Sequence, residues 1–479
     1  MSDRSRVPLL VTALVLSFVL SVPLWGCSQT QEPTQGATNT QEQTTEAANT
    51  KECGSVNKEA AAALDFHKPG NDYELQQVVV LSRHNIRAPL STNGSVLDRA
   101  TPHTWIDWTA NASELTLRGG TQETMAGEYV RKWLESEGLI PENYRPEEGA
   151  VRFYANGKQR TIATAQFFSS GMLPVANVNI ETHAEYDAMD PVFSPSFTFM
   201  SDSYREAALE QIGGMGGATG IEGVASSLAG SYALIEDVVD YQDSEAYKSG
   251  SIADLDTKDT KITLELNKEP ATEGSLKTAC QLADALVLQY YESPDAKAAA
   301  FGHDLTDDQW KLVSQSKDTY TDILFTAPLI ATNLAHPLLE EIGDEMDAQG
   351  RVFTFLCGHD SNIASVLAAL KVEEYELPGA IEAKTPIGAK LLFEKWTNAS
   401  GEEFGRVRLL YQSVDQLRLG TMLSGSESPE SVDLSFEGLK KNEDGLCSYD
   451  DLRARIKESA DAYDDIVRTY GEAELDQAA

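Results

Sequence analysis

Val78-Val79-Val80-Leu81-Ser82-Arg83-His84-Asn85-Ile86-Arg87-Ala88-Pro89 passes from four aliphatic residues into a cationic cluster within a few positions. The apolar part, inside Leu75–Ser82, is short, β-branched and bounded by polar residues, which predicts a strand buried on both faces of a sheet. In open α/β sheets the ligand crevice lies outside the carboxyl ends of the strands, so the cluster stands where ligands bind. Two guanidiniums bracket one imidazole there. Guanidinium clamps phosphate through paired N–H donors, and nearby positive charge lowers a histidine's pKa and keeps it a neutral nucleophile.

Two more strands end in the same way. Val151–Asn156 is followed by Gln159-Arg160-Thr161, and the buried run within Arg351–Gly358 leads into Gly358-His359-Asp360 and an apolar helical pattern over Ser361–Leu370. Strand, short loop and helix make the parallel α/β unit, and Ala389–Trp396 and Val407–Tyr411 add strands. Taken singly these clusters are bland: a lone Arg160 reads as a solvated surface residue, and an aspartate at a helix start is more often a cap than a catalyst. Their recurrence at three strand ends weighs against coincidence.

Between about Tyr186 and Tyr291 the texture becomes helical around a glycine-rich Gly213–Gly217, which predicts a helical insertion at 186–291 in an α/β domain made of 53–185 and 292–479. Leu117-Arg118-Gly119-Gly120 reads as a turn before a helix. Trp105 and Trp108 either flank the site or pack.

Residues 1–27 read as an export signal: Arg4 and Arg6, a mostly apolar Val7–Leu24, then Gly26 and Cys27. The run is too short and too interrupted for a permanent span. Leu24-Trp25-Gly26-Cys27 is similar to a lipobox, with Cys27 lipidated, although Trp25 departs from the pattern and a plain secreted protein is the alternative. Residues 28–52 cannot bury enough apolar surface to fold and form a tether, spanning roughly 25 to 30 Å as a coil. The expected location is the outer face of a bacterial membrane, held by the lipid alone, or the periplasm or medium without it.

Over 479 residues, 38 Lys and Arg face 75 Asp and Glu, a formal charge of −37, which excludes nucleic acid as a partner and repels anions wherever cations are not gathered locally. Cys53, Cys280, Cys357 and Cys447 show no framework spacing and are left unpaired. The seven histidines form no ligand pair, so neither metal nor other cofactor is expected.

Arg83-His84-x-x-Arg87-x-Pro89 with the distant His359-Asp360 resembles the two signatures of the histidine acid phosphatase family, and the resemblance runs from about Leu75 to the C-terminus. Within the family the chain looks most like the glucose-1-phosphatase branch, close to the bacterial phytases. The similar stretches are Ser82–Gly94, Ala155–Phe168, Lys268–Pro270, Leu288–Glu292, Thr385–Gly388, Gly358–Leu367 and Tyr411–Ser413. The resemblance implies a phosphoglycerate-mutase-like, three-layer α/β/α domain with a smaller helical insertion. It also implies a metal-independent acid phosphatase acting on a small phosphorylated sugar through a phosphohistidine. His84 would be the nucleophile, Asp360 the proton donor, and Arg83, Arg87, Arg160 and His359 the phosphate ligands. Asp360 would have to start protonated, which implies an acidic pH optimum. Asn85 matches the glucose-1-phosphatases where phytases usually have Gly. Glu269 aligns with a glutamate on the sugar side of the substrate, its alternative being a surface residue of the helical insertion. The family's cysteine pairs are mostly missing, and Cys447 has lost its usual partner.

The competing functions are a phytase or broad acid phosphatase, an extracytoplasmic lipoprotein that binds a phosphorylated solute without turnover, and a phosphoglycerate-mutase-like transferase. A binder has no use for a proton donor, and the export signal disfavours the transferase.

Overall fold

The computed structural model describes residues 68–70, 72–90 and 95–477. The expected export signal, Cys27, the tether and Cys53 lie outside them. The chain begins with β1 (Tyr73–Arg83), α1 (Val96–Arg99), α2 (Leu117–Ser136), β2 (Val151–Ala155) and α3 (Gln159–Met172). A helical stretch follows: α4 (Asp202–Met215), α5 (Ile221–Ser227), α6 (Ala229–Val238) and α7 (Glu245–Lys248), a hairpin of β3 (Lys261–Thr263) and β4 (Ala271–Glu273), then α8 (Ser275–Glu292), α9 (Ala296–Ala299) and α10 (Asp307–Phe325). The chain returns to the sheet through α11 (Pro328–Asp347), β5 (Phe353–Gly358), α12 (Asp360–Ala369), β6 (Lys390–Asn398) and β7 (Glu403–Tyr411). It ends in α13 (Val414–Leu419), β8 (Glu430–Asp433), β9 (Cys447–Ser448) and α14 (Tyr449–Gln477).

The main sheet has the order β2-β5-β1-β6-β7-β8, with β9 beside β7. β2, β5 and β1 run parallel; β6, β7, β8 and β9 are antiparallel to their neighbours. Alternation along β1 explains its apolar run. Val79 and Leu81 enter a core shared with α11, α12 and α14, while Val78 and Val80 enter the opposite core beneath α2 and α3. A strand covered by helices on both faces needs apolar side chains at every position. The result is the three-layer α/β/α domain that the sequence implies.

Register brings the three charged strand ends together. Arg83 pairs with Gly358, and Ala155 with Cys357. The ladder continues past the strands, with the His84 N–H donating to Gly358 O at 3.1 Å and the Asn156 N–H to Cys357 O at 3.0 Å. On the antiparallel side, Glu394 of β6 is fully buried between Arg406 and Arg408 of β7 and accepts from the Trp396 indole N–H at 2.9 Å.

One apolar cluster joins α4, α5, α6, α8, α9 and α10 and takes in Ile86 from the loop after β1, Leu97 of α1 and Ala100 just after it. Residue 291, the expected end of the insertion, lies inside this cluster, because α10 buries Trp310, Val313 and Leu324 against α8 and α6. Trp105 and Trp108 pack on the same cluster and do not line the site.

The expected turn at Leu117–Gly120 is instead the first turn of α2, capped by the Thr116 hydroxyl accepting from the Gly119 N–H. A Cβ on Gly119 would lie 2.3 Å from the Ile86 carbonyl oxygen, so the glycine permits the helix to press on the loop that carries His84.

Candidate active site

His84, Arg87, Arg160, His359, Asp360 and Glu269 all line one cavity of about 440 Å³. Arg83, the residue before His84, lies fully buried beneath them. His84 Nδ1 is 2.9 Å from the Asn85 carbonyl oxygen, which can only accept. Nδ1 therefore carries the ring proton, and Nε2 keeps its lone pair. Burial, then the charges of Arg160, His359, Arg87 and Arg83, hold the imidazole's pKa well below the ordinary histidine value. It is a neutral imidazole of fixed orientation.

His359 is fixed in the same tautomer, by Asn156. The Asn156 Oδ1 accepts the Asp190 N–H at 2.9 Å, which turns its Nδ2 toward His359 Nε2 at 2.7 Å. His359 Nε2 accepts, so in the neutral ring Nδ1 bears the proton. Arg160 Nη2 lies 3.5 Å from that Nδ1, leaving two donors side by side. Burial, followed by the charge of Arg160, keeps His359 well below the ordinary value as well. The two imidazole centroids are 5.5 Å apart.

The arginines enter from three directions. Arg83 donates to the Thr385 carbonyl oxygen, and its guanidinium also faces Asp360 at 3.2 Å and Glu382 at 3.8 Å. Glu382 is in turn held by the Tyr291 hydroxyl and the Ile387 N–H. Arg87 Nη2 pairs with Asp284 Oδ2 of α8 at 3.0 Å, which ties the phosphate-binding loop to the helical layer. Arg160 is the second residue of α3; burial and the nearby Arg87 push its pKa down to about 10. Its Nε has no hydrogen-bond partner among the described residues, nor do the Nε atoms of Arg83 and Arg87. Buried donors left over in this way are filled when an oxyanion binds.

Asp360 opens α12, with His359 as the N-cap. Its Oδ1 accepts the Ser361 N–H at 3.0 Å. Burial alone would raise its pKa, but the charges of Arg83 and Lys317, then His84 and Arg87, outweigh burial and hold the carboxyl well below the usual range. In the empty site Asp360 therefore favours its carboxylate beside Arg83, where the sequence reading has it start protonated.

Asn85 does not face the cavity. Its Nδ2 donates to Glu123 Oε1 at 2.7 Å, Glu123 is paired with Lys390 at 3.0 Å, and Gly388 packs over the amide at φ +69°, where a Cβ would come within 2.5 Å of Nδ2. The Thr385–Gly388 stretch thus cradles Arg83 and His84 from behind, with the Gly388 N–H donating to His84 O at 3.3 Å. Glu269 is solvent-exposed at the cavity wall, in the loop before β4. Cys280, Cys357 and Cys447 are free. Sequence reasoning passed over Asn156, Asp284, Glu382 and Lys317. Asn156, at the end of its strand, and Lys317, a lysine at an apolar helical spacing, were the two with a visible signal.

Neutral nucleophile, convergent donors and a carboxyl beside them can transfer a phosphoryl group. The chain belongs to the histidine phosphatase superfamily (branch 2), whose family model matches residues 74–208 and 264–412, and it is an acid phosphatase of that family. It is 39% identical to a glucose-1-phosphatase of Salmonella typhimurium over 79% of this chain and 91% of that one, and 27% identical to the phytase AppA of Escherichia coli over 79% and 90%. Among solved structures it is similar to the phytase of Hafnia alvei, with a TM-score of 0.74 and 26% identity over 81% of this chain and 98% of that one. Family membership displaces the solute-binder and transferase alternatives.

Proposed function

We propose that the chain hydrolyses sugar phosphates bearing a single phosphoryl group, glucose 1-phosphate first among them, through a phosphohistidine on His84. The observation that carries this reading is the charge arrangement of one cavity: Arg87, Arg160 and the two imidazoles share it with the carboxylates of Glu269 and Asp284. A single dianion fits the cations, while a second phosphate meets the carboxylates, and hydroxyls of a sugar suit them as donors. The glucose-1-phosphatase relatives support the same substrate.

In this mechanism His84 Nε2 attacks phosphorus, and Arg83, Arg87, Arg160 and His359 hold the three non-bridging oxygens whose charge spreads in the transition state. Cationic side chains do here what divalent ions do at many phosphoryl-transfer sites. As the dianion engages Arg83, its negative charge beside Asp360 raises that carboxyl's proton affinity, so Asp360 takes up a proton from solvent and passes it to the leaving oxygen. It then acts as the base that activates water against the phosphohistidine.

The second reading is a phytase, favoured by the likeness to the Hafnia alvei enzyme and by Lys158, Lys277 and Lys317 in the cavity wall. Phosphate release at pH 5 without added metal, from glucose 1-phosphate and from phytate, separates the two. Turnover of glucose 1-phosphate well above phytate, lost in His84→Ala, supports the sugar phosphatase; preference for phytate overturns it and leaves the mechanism in place.

The same proposal includes export through residues 1–27 and lipid anchoring at Cys27, on sequence grounds alone. Detergent partitioning of the cell-made protein against Cys27→Ala tests it, and equal partitioning of the two rejects the anchor.

A further inference from the structure

Trp310, Val313, Ser314, Lys317, Thr321 and Leu324 recur every three or four residues and form the buried stripe of α10. Five of these are apolar or small, and the sixth is a lysine. Lys317 is only 5% exposed, and what exposure it has opens on the active-site cavity beside Tyr320 and Thr321. Among the described residues its ammonium makes no hydrogen bond and no ion pair. An ammonium has three donors, and this one meets the cavity with none of them engaged by the described residues. A fold keeps such a group where a ligand completes it.

The ligand atoms within reach are set by location. Lys317 approaches from the helical layer, on the side of Asp360, whereas the phosphate donors Arg83, Arg87, Arg160 and His359 come from the strand ends and α3. Its charge ranks after that of Arg83 among those acting on Asp360 and is absent from the leading influences on His84.

We propose that Lys317 is a specificity-determining residue that donates hydrogen bonds to the hydroxyl or ring oxygens of a polyhydroxylated leaving group and not to the phosphoryl oxygens. This rests on the reading of the substrate as a phosphorylated sugar. It gives the cavity a polar anchor from the helical layer.

Lys317→Met, of similar length and apolar, tests this in the folded enzyme. The readouts are KM and kcat for glucose 1-phosphate, glycerol 2-phosphate and p-nitrophenyl phosphate, the inhibition constant of inorganic phosphate, and the melting temperature. The expected result is a selectivity ratio of glucose 1-phosphate over the aryl ester reduced about tenfold or more, mostly through KM, with phosphate inhibition retained and Lys317→Arg restoring part of the loss. Equal losses on all three esters with weakened phosphate inhibition would make Lys317 a phosphoryl ligand and overturn the proposal. So would an unchanged ratio, with or without a lower melting temperature. A wild type that ignores glucose 1-phosphate but cleaves glycerol 2-phosphate refutes the substrate reading separately, and the ratio of the glycerol ester to the aryl ester then decides the role of Lys317.

Discussion

The carboxylate of Asp360 lies 3.2 Å from the guanidinium of Arg83, the residue immediately before His84. The contact is an ion pair in which Arg83 Nη2 makes no hydrogen bond among the described residues, so Asp360 serves there as a counter-ion while that donor stays open. In the proposed mechanism a bound phosphate competes with Asp360 for Arg83, which would couple substrate recognition to the acid function.

Asp360→Asn keeps the shape and removes the proton donor. Its kcat should fall about 10²–10⁴-fold on glucose 1-phosphate, whose leaving oxygen needs a proton, and much less on p-nitrophenyl phosphate, whose leaving group is stable as an anion. Steady-state rates on the two esters check this. Equal losses on both would remove Asp360 from proton transfer.

Asn156 orients His359 without touching the substrate. Asn156→Ala should release the tautomer, leave Nδ1 protonated only part of the time, and lower kcat/KM by about tenfold, the scale of a lost hydrogen bond to a functional group. Nitrogen-detected NMR of the His359 ring supplies the readout that a merely structural role would not move. A single unchanged tautomer in the variant would refute the assignment.

Both active-site imidazoles have folded pKa values below the ordinary 6.5. Below that pH the unfolded chain takes up protons that the folded site refuses, so stability falls as pH drops from 6.5 toward the folded values. Asp360, also depressed, adds a further loss below its ordinary value of 3.8. Melting temperatures of the phosphate-free protein should therefore decline from pH 7 to pH 5, and the decline should flatten in His359→Asn. A slope unaltered by that substitution would place the effect elsewhere.

Glu394 sits between two buried arginines, and burial, which alone would raise its pKa, is outweighed by Arg406 and Arg408. Removing it by Glu394→Ala should cost about 3–5 kcal/mol, because two guanidiniums lose their shared carboxylate in the interior. Urea denaturation measures the loss, while phosphatase activity per folded molecule stays close to wild type, since the triad lies away from the cavity.

Strand identity was legible because burial on two faces writes an unbroken apolar run, as in Val78–Leu81 and Phe353–Cys357. The reactive cluster was legible because cationic residues follow those runs directly. Asp284 was not, since it acquires meaning only when α8 folds back over a loop some two hundred residues earlier. Asn85 shows the opposite limit. Family pattern pointed to substrate choice, but its amide turns inward to Glu123 and supports the loop from beneath. The resting state of Asp360 also escaped the sequence, because it depends on the 3.2 Å approach of a guanidinium from another strand.

Arg87 is gripped by Asp284 as Arg83 is by Asp360, so two of the arginines awaiting phosphate already hold carboxylates of the same chain. The enzyme is in this sense its own competitive inhibitor, with two anions permanently tethered at the place where its substrate must bind. Arriving phosphate exchanges with them and gains less than it would from bare cations, and departing phosphate leaves no unpaired charge behind. The cost falls on affinity and the benefit on release of product, a balance suited to turnover and poorly suited to storage.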